Sequence, residues 1–330
     1  MKILISGGAG YIGSHIFLKL FADNDIFILD NFSNSCRSVI RKLKKFSNKD
    51  FITFNFSTLD KSRLEEIFKK YNFDAVIHLA SLKSVSDSLT YPALYYRNNV
   101  YGSQIVFEMI KKYNIKNLIF SSSATVYGNP LFLPINEKHP IKGLNFYAKN
   151  KISIEELLRN DCYFKTDCSV KILRYFNPIG AHKSYIIGDN PKNPTNIMPL
   201  IVQVGLGKKD YLNVYGNNYN THDGTGIRDY IHIMDLVDGH HQALKFEKKG
   251  VSIFNLGTGT GYSVLDLVNE FEETNNIKIP IKFSSRRNGD VGSVFADPSK
   301  AKKYLNFKPQ MSLKDMCEDS WKFAIKNEQQ

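Results

Sequence analysis

Long apolar runs, paired cysteines and acidic charge are all scarce in this chain. No stretch approaches the roughly 18 apolar residues that a membrane helix needs, so a spanning segment is not expected. The four cysteines (Cys36, Cys162, Cys168, Cys317) show no Cys-x-x-Cys spacing. That argues against a zinc centre and a disulfide scaffold, and fits a reducing compartment. The eight histidines lack metal-ligand spacing, and His240-His241 reads as a helix-end pair, so no metal is expected. There is no internal repeat and no low-complexity tract. The N-terminus has one lysine and then a short strand-like stretch running into glycines, which is not a signal peptide. A soluble, cytoplasmic protein is expected.

Acids number 32 against 44 basic residues, a net charge of +12. Such an excess suits nucleic acid or anionic small molecules. The basic residues are scattered, and the densest run, Arg41 to Lys45, reads as a solvated helix face. Nucleic acid is therefore disfavoured, and a nucleotide diphosphate in a basic cleft fits better. At 330 residues, 42% hydrophobic, the chain has material for one large domain and a smaller one rather than for disorder.

What is present is an alternation. Lys2 to Ser6, Asp25 to Asp30, Phe51 to Phe56, Ala75 to Ala80, Leu118 to Ser122 and Ser169 to Tyr175 read as strands. Tyr11 to Phe21, Ser62 to Lys70, Pro92 to Tyr113 and Tyr147 to Arg159 read as helices. Strand and helix in turn predict an α/β fold, an open, doubly wound parallel sheet. Continuously apolar strands fit burial on both faces. After Asn177, Pro178, Gly180, Gly188, Pro191, Pro194 and Pro199 break the pattern. Residues 1–176 are read as the nucleotide-binding domain and 177–330 as a smaller, loop-rich substrate domain. Ile231 to Lys245 again looks like a strand followed by a helix, which leaves open its return to the first domain. Trp321 and the aromatic-rich C-terminal segment read as core packing.

Gly7, Gly10 and Gly13 lie between the first strand and the first helix. Small residues there let the backbone turn and approach a pyrophosphate, while the helix N-terminus supplies free N–H groups. Asp30 ends the next strand seventeen residues after Gly13. Its carboxylate suits the two adenosine-ribose hydroxyls and repels the extra phosphate of NADP, so NAD is expected. Further on, Tyr147 and Lys151 form Tyr-x-x-x-Lys, with Ser121, Ser122 and Ser123 upstream at a strand end. A phenol titrates near about pH 10 and is a poor base at neutrality unless its phenolate is stabilised. A lysine one turn on shares its helix face. Ser123 is placed to hold a substrate hydroxyl in line with that base.

These residues resemble the UDP-glucose 4-epimerase family of extended short-chain dehydrogenases/reductases. Matching segments run nearly end to end: GGAGYIGSH from Gly7, LDN from Leu29, SSSATVYG from Ser121, LRYFNPIGAH from Leu173, DGTGIRDYIHIMDLVDGH from Asp223 and YSVLDLVN from Tyr262. The resemblance implies a Rossmann-type fold. It implies Tyr147 as the base, Lys151 as its modulator and Ser123 as a hydrogen-bond partner of the reacting oxygen. It implies NAD contacts from Gly7, Gly10, Tyr11, Ile12, Asp30, Asn31, Asn34 and Ser35. Thr58, Leu59, Leu79, Ala80, Lys83, Asn98 and Tyr175 would join them, with Tyr147 and Lys151. Asn177, Asn196, Tyr215, Arg228, Tyr230, Arg287 and Asp290 would hold the uridine diphosphate sugar, with Ser123 and Tyr147. A homodimer is implied too, the helices around Asn99–Tyr113 and Tyr147–Arg159 pairing with their copies and marked by exposed apolar residues.

Two departures stand out. The family's acid-hydrophobic pair after the third strand aligns with Thr58 and Leu59, which weakens the expected adenine contact there. A tyrosine lining the sugar pocket aligns with Val294, which leaves room for an N-acetyl group beside the sugar's second carbon. Rival functions are a nucleotide-sugar 4,6-dehydratase or decarboxylase and a non-enzymatic NAD- or nucleic-acid-binding relative. Dehydratases carry an Asp-Glu pair after the Ser or Thr, and here Ala124 and Thr125 stand in those places.

Overall fold

Short segments that are apolar on both faces cannot lie against water, so they stack into one buried sheet. The structure, a computed structural model, describes residues 1–191, 193–287 and 289–328. Strands β1 (Lys2–Ser6), β2 (Asp25–Leu29), β3 (Ile52–Phe54), β4 (Ala75–His78), β5 (Asn117–Ser123) and β6 (Ser169–Tyr175) alternate with helices. These are α1 (Tyr11–Leu20), α2 (Arg37–Ser47), α3 (Lys61–Tyr71), α4 (Val85–Thr90), α5 (Pro92–Tyr95), α6 (Gly102–Lys112), α7 (Phe146–Asn160) and α8 (Cys162–Thr166). The helical stretch expected from Pro92 to Tyr113 is continuous but not uniform: a π-helical turn, Tyr96–Tyr101, joins α5 to α6.

Beyond residue 176 come β7 (Asn177–Ile179), α9 (Ile197–Gly205), β8 (Leu212–Tyr215), β9 (Ile227–Arg228), β10 (Tyr230–His232), α10 (Ile233–Lys245) and β11 (Gly250–Leu256). They are followed by β12 (Tyr262–Ser263), α11 (Val264–Asn275), β13 (Ile281–Ser284), β14 (Ser293–Val294), α12 (Ser299–Leu305) and α13 (Leu313–Glu328). The large sheet is parallel throughout, in the order β11-β6-β5-β4-β1-β2-β3. Its seventh strand, β11, pairs with β6 from Gly250↔Ser169 to Leu256↔Tyr175. Helix α10 packs against α1 on the same layer. The chain thus returns to the sheet through α10 and β11 after the break in its texture near Asn177.

Alternation along each strand divides the core. Ile3, Ile5, Ile28 and Ile77 face α1 and α10, together with Ile16, Leu236 and Val237. Leu4, Leu29, Val76, Leu118 and Phe120 face the other way, onto Leu64, Ile105, Ile110 and Ile154. The smaller region has its own core around Ile201, Leu212, Leu267, Phe271 and Met316, and Trp321 packs edge-on to Phe271. Between β1 and β4 the connections diverge to opposite sides, and in such sheets ligands bind at the carboxyl ends beside that point.

Candidate active site

A single cavity of 1490 Å³ opens along the carboxyl edge of the sheet and reaches under the smaller region. Its floor is the turn after β1. Gly7 has φ +74°, and a Cβ there would meet Ala80 N at 2.9 Å. A Cβ on Gly13 would lie 2.5 Å from Gly7 O and 2.6 Å from Gly8 Cα, so glycine lets α1 seat directly on the turn. Gly10 caps α1 without a side-chain hydrogen bond, leaving first-turn N–H groups open to the cavity. Those donors, with the helix dipole, favour a phosphate group. Tyr11 and Ile12 line this end, and the Tyr11 hydroxyl donates to Gly180 O at 2.7 Å, tying the turn to the smaller region.

Asp30, just past β2, lines the cavity beside this turn. Its Oδ2 accepts from Ala9 N at 3.0 Å, and Oδ1 accepts from Phe32 N at 2.8 Å and Ser35 Oγ at 2.8 Å. A carboxylate has about four acceptor positions, so a ribose here competes with the Ser35 hydroxyl. Asn31, Asn34, Ser35, Leu79, Ala80 and Lys83 line the same wall. Thr58 lines it too, whereas Leu59 does not: Leu59 packs into the sheet's core, beside the backbone of Gly102. The π-helical turn sends Asn98 to the cavity while Asn99 stays buried, bonded to both Leu82 N and Leu82 O. The glycine cradle, the open helix end and the acid at the ribose position fit NAD, which the notched turn would hold by its pyrophosphate.

Ser123, Tyr147 and Lys151 converge on the middle of the cavity. Asn145 caps α7 by accepting from Ala148 N at 2.8 Å, which starts the helix one residue before Tyr147. Lys151 follows one turn on, 1% exposed, and its Nζ donates to Ser121 O at 2.8 Å. The ammonium stands 5.7 Å from the Tyr147 ring centre and 5.0 Å from that of Phe120. Burial pushes Lys151 down to about 7, and Glu155 draws it back up. Burial pushes the Tyr147 phenol up to about 12, opposed by its hydrogen bond with Ser123. The lysine's amine thus bonds Ser121 O while it stands beside the phenol ring. Ser123 Oγ accepts from Thr125 N at 3.2 Å and Thr125 Oγ1 at 3.0 Å, which frees its own proton for Tyr147 or a substrate oxygen. Tyr175 lines the cavity beside the trio, and its hydroxyl meets His240 Nε2 at 2.5 Å. His240 Nδ1 lies 2.9 Å from Leu236 O, which requires the proton on Nδ1, so Tyr175 is the donor to Nε2.

The far end is cationic. On the short run through β9 and β10, alternation turns Arg228 and Tyr230 to the cavity and Asp229 inward. Asp229 accepts from Thr258 N, Thr258 Oγ1, Gly259 N and Ala296 N, which locks the two lining residues in place. The Arg287 guanidinium lies 3.7 Å from the Tyr215 ring centre, and Arg286 lies 4.1 Å from that of Tyr219. Asn177, Asn196, Asp290 and Val294 complete this lining. The sequence reading had passed over Tyr219. Its buried hydroxyl has no hydrogen-bond partner among the described residues, and Asp290, Arg228, Arg286 and Arg287 surround it electrostatically. An aromatic four residues after Tyr215 in a glycine-rich loop was the available signal. Leu200 and Asn213 also line this end and had none, being ordinary residues made neighbours by folding.

His222, Asp223 and Asp266 bring ligand atoms within 4.8 Å of one another, a grouping their spacing did not reveal. Both carboxylates already have structural work. Asp223 accepts from Thr225 N, and Asp266 closes the capping box of α11 with Ser263.

A family model described as GDP-mannose 4,6 dehydratase matches residues 4–320. The UDP-glucose 4-epimerase of Bacillus subtilis (strain 168) is 44% identical over 331 residues, covering 99% of this chain and 98% of that protein. The UDP-glucose 4-epimerase of Homo sapiens is 45% identical, covering 99% and 97%. A crystal structure of UDP-glucose 4-epimerase from Bifidobacterium longum in complex with NAD+ and UDP superposes with TM-score 0.96 at 39% identity, over 99% of each chain. With identity of this level running end to end, and the fold and cavity just described, the chain belongs to the UDP-glucose 4-epimerase family.

Proposed function

We propose that this chain interconverts UDP-glucose and UDP-galactose by inverting carbon 4 of the sugar. The observation that carries the reading is the meeting of Ser123, Tyr147 and Lys151 in one cavity, between a glycine cradle and an arginine-lined end. NAD, when bound, would supply the acceptor and the donor for the carbon-4 hydride. The rest falls to the protein's own groups. Ser123 holds the 4-hydroxyl, and Tyr147 takes and gives back its proton. Lys151 keeps positive charge beside the phenol. Arg228 and Arg287, with Tyr215, Tyr230, Asn177, Asn196 and Asp290, hold the nucleotide diphosphate, guanidinium groups being suited to phosphate oxygens. The firm anchors lie at the nucleotide end, which leaves the sugar free to present its other face.

Ala124 and Thr125 follow Ser123 and offer no carboxyl group, so the dehydratase alternative lacks its acid and base. Val294 supports a wider substrate range: it lines the cavity partly buried, and a short side chain there leaves room for an N-acetyl group. The test is turnover of UDP-galactose and UDP-N-acetylgalactosamine in parallel, with products resolved by chromatography. Conversion of UDP-galactose alone restricts the enzyme to the plain hexoses. A deoxy-keto product from either would overturn the epimerase reading.

We further infer a homodimer in the cytoplasm. Leu89, Tyr91, Leu94, Tyr96 and Tyr101 are each about half exposed, and Phe146 is exposed at the start of α7, the helix that packs against α4 and α5. This apolar surface lies on α4, α5 and the π-helical turn rather than along α6, whose Ile105, Val106, Met109 and Ile110 fill the core. Exposed apolar residues grouped on neighbouring helices in this way favour a partner. No helix of the described residues is long and apolar enough to cross a membrane.

A further inference from the structure

One turn beyond Lys151, the structure holds a buried ion pair that the proposed chemistry does not use. Glu155 on α7 and Arg174 on β6 are each 1% exposed, and neither lines the cavity. Arg174 Nε donates to Glu155 Oε1 at 3.0 Å and Nη2 donates to Oε2 at 2.5 Å. Glu155 Oε1 also accepts from Ser122 Oγ at 2.5 Å. Arg174 Nη1 donates to Tyr127 OH at 3.0 Å, which donates in turn to Asn255 Oδ1 at 2.6 Å. The network grips the middle residue of the Ser121–Ser123 run. On one side of it Ser121 O receives Lys151 Nζ; on the other, Ser123 faces Tyr147.

We propose that Glu155 is a positioning residue for the epimerisation. It locks α7 to β5 through Ser122, so that Lys151 and Ser123 keep a fixed separation, and it supplies the negative charge that faces Lys151 from inside the protein. The inference rests on the reading of Lys151 and Ser123 given above.

The geometry leaves Glu155 few equivalents. The groups around Lys151 are His78 on β4, Tyr147 and Glu155 on its own helix, and Arg174 and Tyr175 on β6; Tyr127 and Tyr95 stand behind Glu155 and Tyr147. His78 is neutral at physiological pH, held down to about 3 by burial and by Lys151. Glu155 is therefore the carboxylate of this set, and it is fixed by three donors. Without it, Lys151 loses its counter-charge and Arg174 is left unpaired on the same side. Both changes favour the neutral amine, so Lys151 would give up its proton at lower pH.

The test is the pH profile of UDP-galactose turnover by the full-length, NAD-loaded enzyme. Glu155→Gln is expected to lower kcat about tenfold and to move the alkaline limb down by about one pH unit, with KM within about twofold. Glu155→Asp should restore most of the wild-type limb. Ser122→Ala, which removes only the link to β5, should lower kcat with the limb in place. A wild-type kcat and limb in Glu155→Gln would overturn the proposal. So would a loss of kcat with an unmoved limb and no rescue by aspartate, which is what a merely structural pair would give. If Glu155→Gln does not fold, wild-type kcat in both Glu155→Asp and Ser122→Ala overturns it. Lys151→Met run beside them separates the two levels. Normal turnover there sinks the role of Lys151 and this inference with it, whereas loss there beside a wild-type Glu155→Gln sinks the inference alone.

Discussion

A phenol and an amine stand buried together on α7, one helical turn apart. Tyr147 is driven up to about 12 and Lys151 down to about 7, in both cases chiefly by burial. In the role proposed for it, Tyr147 needs a cation next to it before it ionises near neutrality. Tyr147→Phe should lower kcat by about 10²–10⁴-fold, while calorimetry finds UDP binding unchanged; near-normal turnover would remove Tyr147 from the base role. At the other end, Tyr219→Phe should raise KM for UDP-galactose several-fold with kcat kept, because it deletes only the unpartnered hydroxyl among the arginines.

A second lysine makes a stability prediction. Lys171 on β6 is fully buried, donates to Asn117 Oδ1 and to Ser169, and is driven down to about 7 by burial. The unfolded chain keeps that proton up to about pH 10.5. Between the two values the unfolded state binds more protons, so stability rises with pH across that window. Thermal melts from pH 7 to 9 should show a shallower rise in Lys171→Met than in the wild type, and equal slopes would refute it.

Among the elements, α1 and the helices after β4 have the clearest consequences. Gly13 admits no Cβ against Gly7 O and Gly8, so Gly13→Ala should push α1 off the turn. NAD released on denaturation should then fall well below one per chain, with the sheet's circular dichroism retained. On α5, Leu94 is 55% exposed. If the proposed dimer forms, Leu94→Glu should shift the species seen by sedimentation velocity from dimer to monomer, with the secondary structure intact; a wild-type monomer would remove the dimer, and an unchanged dimer would place its interface elsewhere.

At the scale of the whole molecule, the same burial that builds the core makes the protein acid-sensitive. His15, His78 and His240 are held neutral, at about 3, 3 and 4, by burial before any other cause. In the unfolded chain they take protons near about pH 6.5. Their folded values are depressed, so their contribution is complete above pH 6.5 and is lost as pH falls towards 4. Denaturant midpoints should drop across that window, and His78→Asn, which removes one such site, should drop less steeply. A midpoint constant from pH 7 to 4.5 would contradict this.

How much of this was legible before folding depends on the distance over which each constraint acts. The parallel sheet was readable because β1, β2, β4 and β5 each carry an unbroken apolar run, and burial on both faces is a property of each such segment alone. The glycine turn, Asp30 and the Tyr147–Lys151 pair could be singled out because each is a local spacing, and the fold brings all of them to one cavity. The lysine's commitment to Ser121 O, the loss of Leu59 to the core and the entry of β11 into the sheet were not. Each is settled by a neighbour dozens of residues away. The Glu155–Arg174 pair is the plainest case: in sequence it is a helix acid and a strand base. Only the packing of α7 on β5 and β6 removes both from water, and that desolvation makes their charges matter to the site.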